Sequence, residues 1–377
     1  MEIRELPSID AVAAEHWNAL HGTDCPFLRH EFLAALEHNG CVGASKGWTP
    51  AHLALFENGR LCAAAPVYRK HHSWGEFVFD FGWAQAYSRE GLDYYPKLLC
   101  AVPFSPVNAM RLLTARSGDP TRLRHELIKA FEQCVTADRL SSAHALFVDP
   151  AEQSVFADRG WLLRQDVQFH WHNAGYGSFD DYLGTMQAEK RKKLKRERRR
   201  CAEAGITFDT LGANELTPAL LDFVFQIHAA TFHRHGHEPY LNRAFFGEIA
   251  VTLGDALMIK LARLHGEPVA AAVFFHSAQA LYGRYWGALE AHHSLHFEAC
   301  YHQGIEFCIK RGIQRFEPGT QGEHKVARGF APTTTWSAHF IADPRFRTAI
   351  AAFVTREANA VDTYAQEVGA HLPFRHA

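Results

Sequence analysis

Apolar residues fall three to four positions apart over 15–20 and again over 31–36, which predicts two short helices behind an N-terminal strand. Gly40 and Gly43 break that spacing. The pattern then changes to apolar runs over 51–56 and 61–67, separated by Glu57-Asn58-Gly59-Arg60. An Asn-Gly pair supplies the two positive-φ positions of a type I′ turn, so these runs predict a β-hairpin. Residues 76–81, rich in Phe, predict a third strand of the same meander.

The same pattern returns further along. Apolar runs over 257–262 and 269–275 flank His265-Gly266-Glu267, and 281–286 follows as a third strand. Gly266 lies 207 residues after Gly59, and Val269-Ala-Ala-Ala272 sits at the same offset from Cys62-Ala-Ala-Ala65. Gly287 answers Gly82 after a slip of two residues. A meander repeated at one offset predicts two copies of one domain. A chain of 377 residues also suits two cores better than one. The expected domains are 1–165 and 166–377.

Beyond the meanders the copies diverge. In the first, the prolines at 96, 103 and 106 argue against a central strand between 94 and 106. Strands at 111–115 and 143–148 bracket a helix over 121–138, with Asp119 as N-cap and Pro120 in its first position. In the second, apolar residues at 297, 301, 305 and 308 predict a helix closed by Lys310, Arg311 and Gly312. A short strand at 314–316 and a closing strand over 333–341 follow. Asp343-Pro344 then starts a last helix of roughly 25 residues.

Composition narrows the function. Formal net charge is −2, so any electrostatic role comes from local asymmetry. The chain begins Met1-Glu-Ile-Arg with no apolar leader, and no apolar run reaches the length of a membrane span. These features predict a cytoplasmic protein without a transmembrane segment. The eight cysteines show no paired spacing and lie mostly in apolar runs, as core residues of a reduced protein do. Histidines cluster at His233-Arg-His235-Gly-His237 and His292-His293-Ser-Leu-His296. Neither cluster has the i, i+4 pair with a carboxylate that a zinc hydrolase uses, and no metal site is expected.

Two stretches carry chemistry. Nine Lys and Arg fall between 190 and 200, while Leu183, Met186, Leu194, Cys201 and Ala204 form a thin apolar stripe. The pattern predicts a helix over 187–204, docked on one side, with charges radiating from the rest. Such a helix suits the phosphates of a nucleotide, a cofactor or RNA, with Lys190, Lys192, Lys193, Arg196, Arg199 and Arg200 as contacts. A merely solvated helix is the alternative. The other stretch is 317–330, which sets Glu323, His324, Lys325 and Arg328 on a glycine-rich backbone between two strands. Loops on rigid strands are where binding and catalytic groups tend to sit, and a tight structural connection is the alternative.

Several stretches together carry a resemblance: Gly75 to Tyr87, Tyr94-Tyr95-Pro-Lys97, Pro103-Phe104-Ser-Pro106, Lys190 to Arg200, Thr231-Phe with Pro239-Tyr240-Leu241, His296-Phe297-Glu298, and Gly322 to Phe330. Over nearly the whole chain they resemble the FemAB-like (peptidoglycan biosynthesis/recognition) branch of the tandem-GNAT acyltransferase superfamily. The resemblance implies an α/β (α+β) fold of two tandem GNAT-like domains, each a mixed, mostly antiparallel sheet flanked by helices. It also implies Fem-like transfer of an aminoacyl group from aminoacyl-tRNA to a small-molecule or peptide amine, with no tightly bound cofactor.

Acetyl-CoA-using GNAT domains open the helix after the third meander strand with an Arg/Gln-x-x-Gly-x-Gly/Ala loop whose amides hold the pyrophosphate. Here that place reads Leu289-Glu-Ala-His-His-Ser-Leu-His296, and Arg284-Tyr-Trp-Gly287-Ala-Leu289 matches only in part. Acyl-CoA therefore stands as the alternative donor. Fem-type enzymes carry a Phe-Lys-x-Gly-Phe-like element whose lysine assists transfer. Lys325 and Arg328, upstream of Gly329-Phe330, take that place as oxyanion and phosphate stabilisers. Glu323, His324 and Glu298 are the candidates for proton removal. Asp80, Trp83, Tyr87 and Lys97 are expected to line an acceptor pocket at the domain junction, with Tyr240 and Trp336 as further substrate-binding candidates. No G-x-S-x-G elbow and no cysteine with an activating partner is visible, so direct attack is expected rather than an acyl-enzyme. A non-catalytic protein recognising a nucleotide or a cell-wall precursor is the remaining alternative.

Overall fold

The computed structural model describes residues 1–234, 236–320 and 322–375. It divides into two compact units, one of residues 1–167 with 334–363, the other of 168–333 with the residues from 364 on. This corrects the expected division at 165/166, because residues 334–363 join the first unit. Strand pairing is the reason. The closing strand Ala331–Ile341 bonds antiparallel to Ser142–Val148, with Ala338 opposite Ala145 and Ile341 opposite Ser142. The following helix, Pro344–Gly369, then packs Phe346, Ile350 and Val354 against Trp83, Tyr87 and Tyr94.

In the first unit one antiparallel sheet runs in the spatial order Glu2–Leu6, His52–Glu57, Arg60–Ala65, Leu113–Thr114. A second runs Trp48–Pro50, Val67–Lys70, Lys97–Cys100, Ser142–Val148, Ala331–Ile341, with one parallel pair in its middle. The hairpin turn forms at Asn58 and Gly59, whose φ values of 51° and 75° are those of type I′. Helix Pro120–Ala137 starts at Asp119, whose side chain accepts from the Arg122 amide at 3.0 Å. It lays Leu123, Leu127, Ile128, Phe131 and Val135 in one core with Leu53, Leu55 and Ala63. Each large side chain buried there contributes about 1.5–3 kcal/mol.

Two local expectations change. Residues 76–81 form no strand; Glu76 and Asp80 turn inward to Lys97, and helix Phe81–Arg89 begins straight after. Lys97–Cys100 is a central strand, since Pro96 and Pro103 lie outside it and remove no ladder bond.

In the second unit the strand order is Ile206–Gly212, Leu257–Leu264, Glu267–His276, Ala280–Ala288, Arg315–Glu317, then the end of Leu162–His172. Only the pair between Ala280–Ala288 and Arg315–Glu317 is parallel. His265 and Gly266, at φ 53° and 88°, repeat the tight turn of the first hairpin. The basic helix spans Ala188–Glu203. Among the described residues no helix is long and apolar enough to cross a membrane.

Candidate functional site

Strand Ala280–Ala288 organises the site. It pairs with Arg315–Glu317 through Ala280, Leu281 and Tyr282, after which that partner strand ends, with Pro318 and Gly319 still lying close to Gly283. Pairing with Glu267–His276 continues across a bulge: Val273 faces Tyr285 and Phe274 faces Gly283, so Arg284 is the inserted residue. Bulges beside active sites re-aim a side chain. Here the bulge borders a cleft of about 480 Å³ lined by Arg284, Tyr285, Trp286, His296, Cys300 and Tyr301 among others. The last three come from the helical segment after the strand. That segment runs Leu295–Phe297, then a π-helical turn Glu298–His302, then Gln303–Arg311. Such single π turns are frequent at functional sites.

The glycine-rich loop supplies the next group. Its centre, Glu323–Arg328, is a short 3₁₀ segment between Gly322 (φ 110°) and Gly329 (φ 80°). Gly329 has no room for a side chain, because a Cβ there would collide with the Tyr182 hydroxyl. That hydroxyl donates to the Arg328 carbonyl at 2.5 Å, and Phe330 packs against Phe316 and Tyr301. Held in this way, Lys325 points inward. It is 2% exposed, and its Nζ donates to the Gly319 carbonyl at 2.6 Å. Burial brings its ammonium down to about 7; Cys300 opposes that shift and the charge of Arg284 adds to it. Lys325 does not itself line the cleft; it interacts with Cys300 and Arg284, which do, and its two protonation states are nearly balanced at neutral pH.

The other candidates separate. Arg328 does not face the cleft as a free donor. Its Nε and Nη2 bind Glu197 of the basic helix at 3.2 and 2.5 Å, and its Nη1 donates to the His324 carbonyl at 2.7 Å. Its guanidinium also lies 3.5 Å from the centre of the Phe297 ring. A buried guanidinium needs such partners, which is why the expected oxyanion or phosphate contact is replaced by an internal ion pair. Glu298 is buried too, accepting from Gln303 at 2.7 Å and paired with Arg198 at 3.2 Å. Glu323 is exposed and accepts from the Tyr364 hydroxyl at 2.9 Å. His324 shares a 2.9 Å hydrogen bond with Tyr301, and its ring lies 6.2 Å from that of His296. Burial, followed by the neighbouring His324, Arg328 and Lys325, lowers His296 to about 4. Burial with Arg328 and Lys325 also lowers His324.

On the basic helix Leu194, Glu197 and Cys201 are buried. Lys192, Lys193, Arg196, Arg199 and Arg200 are exposed, and Lys190 is half-buried. Arg199 pairs with Glu203 at 3.3 Å and Arg200 reaches His293 at 2.8 Å.

The residues expected at an acceptor pocket lie inside the first unit. Lys97 donates to Glu76 at 2.8 Å and to Asp80, which also accepts from Tyr94 at 2.6 Å. Trp83 and Tyr87 belong to the aromatic cluster around Phe346. None of these four lines either described cleft. Trp336 lines a cleft of about 460 Å³ in the first unit, with Phe79, Arg164 and Glu357. Tyr240 packs edge-on against Phe232. Of the histidine cluster at 233–237, His235 lies outside the described residues. Among the described residues no group of three His, Cys, Asp or Glu could hold a metal ion.

The sequence assigns no role to Glu197 or Cys300, and it offers Arg284 only as part of an incomplete pyrophosphate-loop match. Glu197 had a signal: it is a lone acid on the face shared by Leu194 and Cys201, three and four positions away, within a basic run. Cys300 had none, and the bulge at Arg284 shows only in the register of its strand with Glu267–His276.

The FemAB-like sequence profile, that of peptidoglycan biosynthesis/recognition, matches residues 8–376. The chain belongs to the FemAB-like family. Among solved structures, FemX shares 10% identity over 93% of this chain and 100% of its own, with a TM-score of 0.54. L-PGS from Bacillus licheniformis shares 12% over 86% and 95%, with 0.53. A conserved Bacteroides thetaiotaomicron protein of unknown function shares 11% over 91% and 100%, with 0.51. These likenesses are of fold, and the fold of this FemAB-like protein is mixed α/β, two compact units with sheets flanked by helices. No curated protein sequence matches the chain.

Proposed function

We propose that this FemAB-like protein is an aminoacyltransferase that moves an aminoacyl group from aminoacyl-tRNA directly to an amine acceptor. One observation supports the reading: an amine lowered by burial to about 7, Lys325, interacts with Cys300 and Arg284, which line the cleft at the bulge. The acceptor nitrogen attacks the ester carbon, a C–N bond forms and the carbonyl oxygen takes the negative charge. The surplus proton of the attacking nitrogen passes to neutral Lys325, which returns it to the departing ribose oxygen as the C–O bond breaks. A group poised near neutrality suits both transfers. Arg284 supplies positive charge for the oxyanion. The exposed face of the basic helix, Lys192, Lys193, Arg196, Arg199 and Arg200, with half-buried Lys190 at its start, suits tRNA phosphates. The family favours an amine on a cell-wall precursor as acceptor, and charged tRNA as donor implies work in the cytoplasm.

An acyl-CoA donor is the second reading, favoured by the edge of strand Ala280–Ala288 beyond Tyr282, where the ladder to Arg315–Glu317 has ended and an extended amide-bearing arm can pair. Against it, the segment that would seat the pyrophosphate carries Glu290, His292 and His293 and ends on Ser294 at φ 70°. The test is incubation with a pool of aminoacyl-tRNAs and acyl-CoAs plus mixed amine acceptors, reading which donor is consumed. Loss of tRNA-linked amino acid that depends on Lys325 is expected. Consumption of acyl-CoA alone selects the second reading, and a folded protein that turns over neither is a recognition protein.

A further inference from the structure

We propose that Glu197 is the positioning residue of this site. Its carboxylate joins the turn that carries Lys325 to the π-helical turn that carries Cys300 and Tyr301, and so holds the lysine against residues that line the cleft. Its bearing on catalysis rests on the transferase reading; the clamp itself does not.

The basic helix presents two faces. Outward are Lys192, Lys193 and Arg196. Inward, between Leu194 and Cys201, is the side chain of Glu197, 7% exposed. One oxygen accepts from Arg328 Nη2, and the other accepts from both Arg328 Nε and His302 Nε2, the latter at 2.9 Å. These partners lie 131 and 105 residues further along the chain, so only the folded second unit brings them together. Burial acts to raise the Glu197 carboxyl, but the bond from His302 and the charge of Arg328 outweigh it and hold the group below its ordinary value. The carboxylate thus stays ionised where an apolar side chain would pack at lower cost. A buried ion pair is poor evidence of stability and is better read as a device for register.

What it registers is the cleft. Arg328 and Lys325 share one short turn, closed by the Phe330 amide donating to the Lys325 carbonyl. His302 ends the π-helical turn Glu298–His302. The next residue of the basic helix, Arg198, holds the start of that same turn through Glu298 at 3.2 Å and the following helix through Glu306 at 2.7 Å. Two consecutive residues therefore grip both ends of the turn that lines the cleft, and one of them also grips the lysine's turn. Without the carboxylate, Arg328 is left buried and uncompensated, and the turn carrying Lys325 loses its only ion pair to the helix among the described residues.

The test is Glu197→Gln, which keeps the shape and removes the charge. Competitive labelling with acetic anhydride across pH, read at Lys325 by mass spectrometry, measures the titration of that amine without any donor. The groups facing it are Arg284, Cys300, His296 and His170, with His324 and Arg328 from its own turn, and the substitution leaves all six in place. Released into water, Lys325 is expected to titrate at least about one pH unit higher, toward an ordinary lysine. Turnover is expected to fall by about ten- to a hundredfold in kcat, with KM for the charged tRNA within about twofold. An unchanged or lowered midpoint in a variant with native circular dichroism overturns the proposal, as does a loss confined to KM. If the single variant does not fold, Glu197→Asp, which keeps the charge but draws it back by one methylene from Arg328 and His302, takes its place under the same outcomes. A wild-type protein that consumes no donor sinks the transferase reading, while the Lys325 midpoint still decides the clamp.

Discussion

Lys325→Met sets the stability of the site against its activity. In the folded protein this amine titrates at about 7 against an ordinary 10.5. Its folded value is depressed, so between those two pH values the unfolded chain binds the extra proton and stability rises with pH. Below pH 7 both states carry the proton and the full cost of burying an ammonium stands. Above 10.5 neither carries it and the cost is gone. A depression of this size destabilises the native state by about 4–5 kcal/mol at and below neutral pH. The methionine also gives up the bond to the Gly319 carbonyl, about 1 kcal/mol. Lys325→Met is therefore expected to gain about 3 kcal/mol near pH 7, with the gain shrinking to nothing, or to a slight loss, as pH approaches that of an ordinary lysine. Urea unfolding at three pH values across this range measures it. Donor consumption in the same variant is expected to fall by about 10²–10⁴-fold, the usual worth of a proton-transfer group. A variant less stable than wild type at neutral pH, or a difference that does not change with pH, refutes the claim that burial sets this amine. Unchanged turnover removes Lys325 from the chemistry.

Other expectations follow from the same geometry. Burial raises the thiol of Cys300, and direct attack needs no thiolate, so Cys300→Ala should keep turnover within about threefold; an acid-stable acyl-thioester in the wild type, absent from the variant, would make the residue a covalent carrier instead. Replacing Lys192, Lys193 and Arg196 together by Gln should weaken binding of charged tRNA and flatten its salt dependence, by about 0.7–0.9 in the log–log slope for each phosphate no longer neutralised. A slope equal to that of wild type would take the nucleic acid off this face. In the first unit, Lys97→Met leaves Asp80 and Glu76 buried without their cation, at a cost of about 3–5 kcal/mol. Burial raises Glu76 to about 7 even with Lys97 holding it down, so without Lys97 it takes up a proton at higher pH and the cost should shrink as pH falls toward 7; a cost independent of pH in chemical denaturation would speak against a charged network there.

Much of the fold was legible because its signals are local. Asn58-Gly59 and His265-Gly266 turn as their positive-φ positions require, Asp119 and Pro120 start a helix, and Gly312 in the left-handed conformation ends one. The basic helix falls within a residue of its expected ends, since a breaker-free run bounded by Gly205 leaves few other choices. The loop at 317–330 was conspicuous for the same kind of reason: glycines at 322 and 329 mark a backbone that other residues would strain, and charges on such a backbone invite a functional reading. Failures came where an apolar run looked like a strand but its acids had a distant cation to meet, as at 76–81 with Lys97.

By itself, then, the sequence determined the repeated hairpins, the helix caps, the outward charge of residues 190–200 and the presence of Lys325 on a constrained turn. Only the tertiary structure decided what those charges do. It set Arg328 and Arg198 against acids a hundred or more residues away, bulged one strand at Arg284, and returned residues 334–363 to the first unit. The physical reason is one of range. Turn and cap preferences act over a few residues of backbone, whereas ionisation states and strand partners are set by whichever groups burial brings within bonding distance. Lys325 is ordinary in the sequence and becomes an amine of pKa about 7 only when the second unit closes over it.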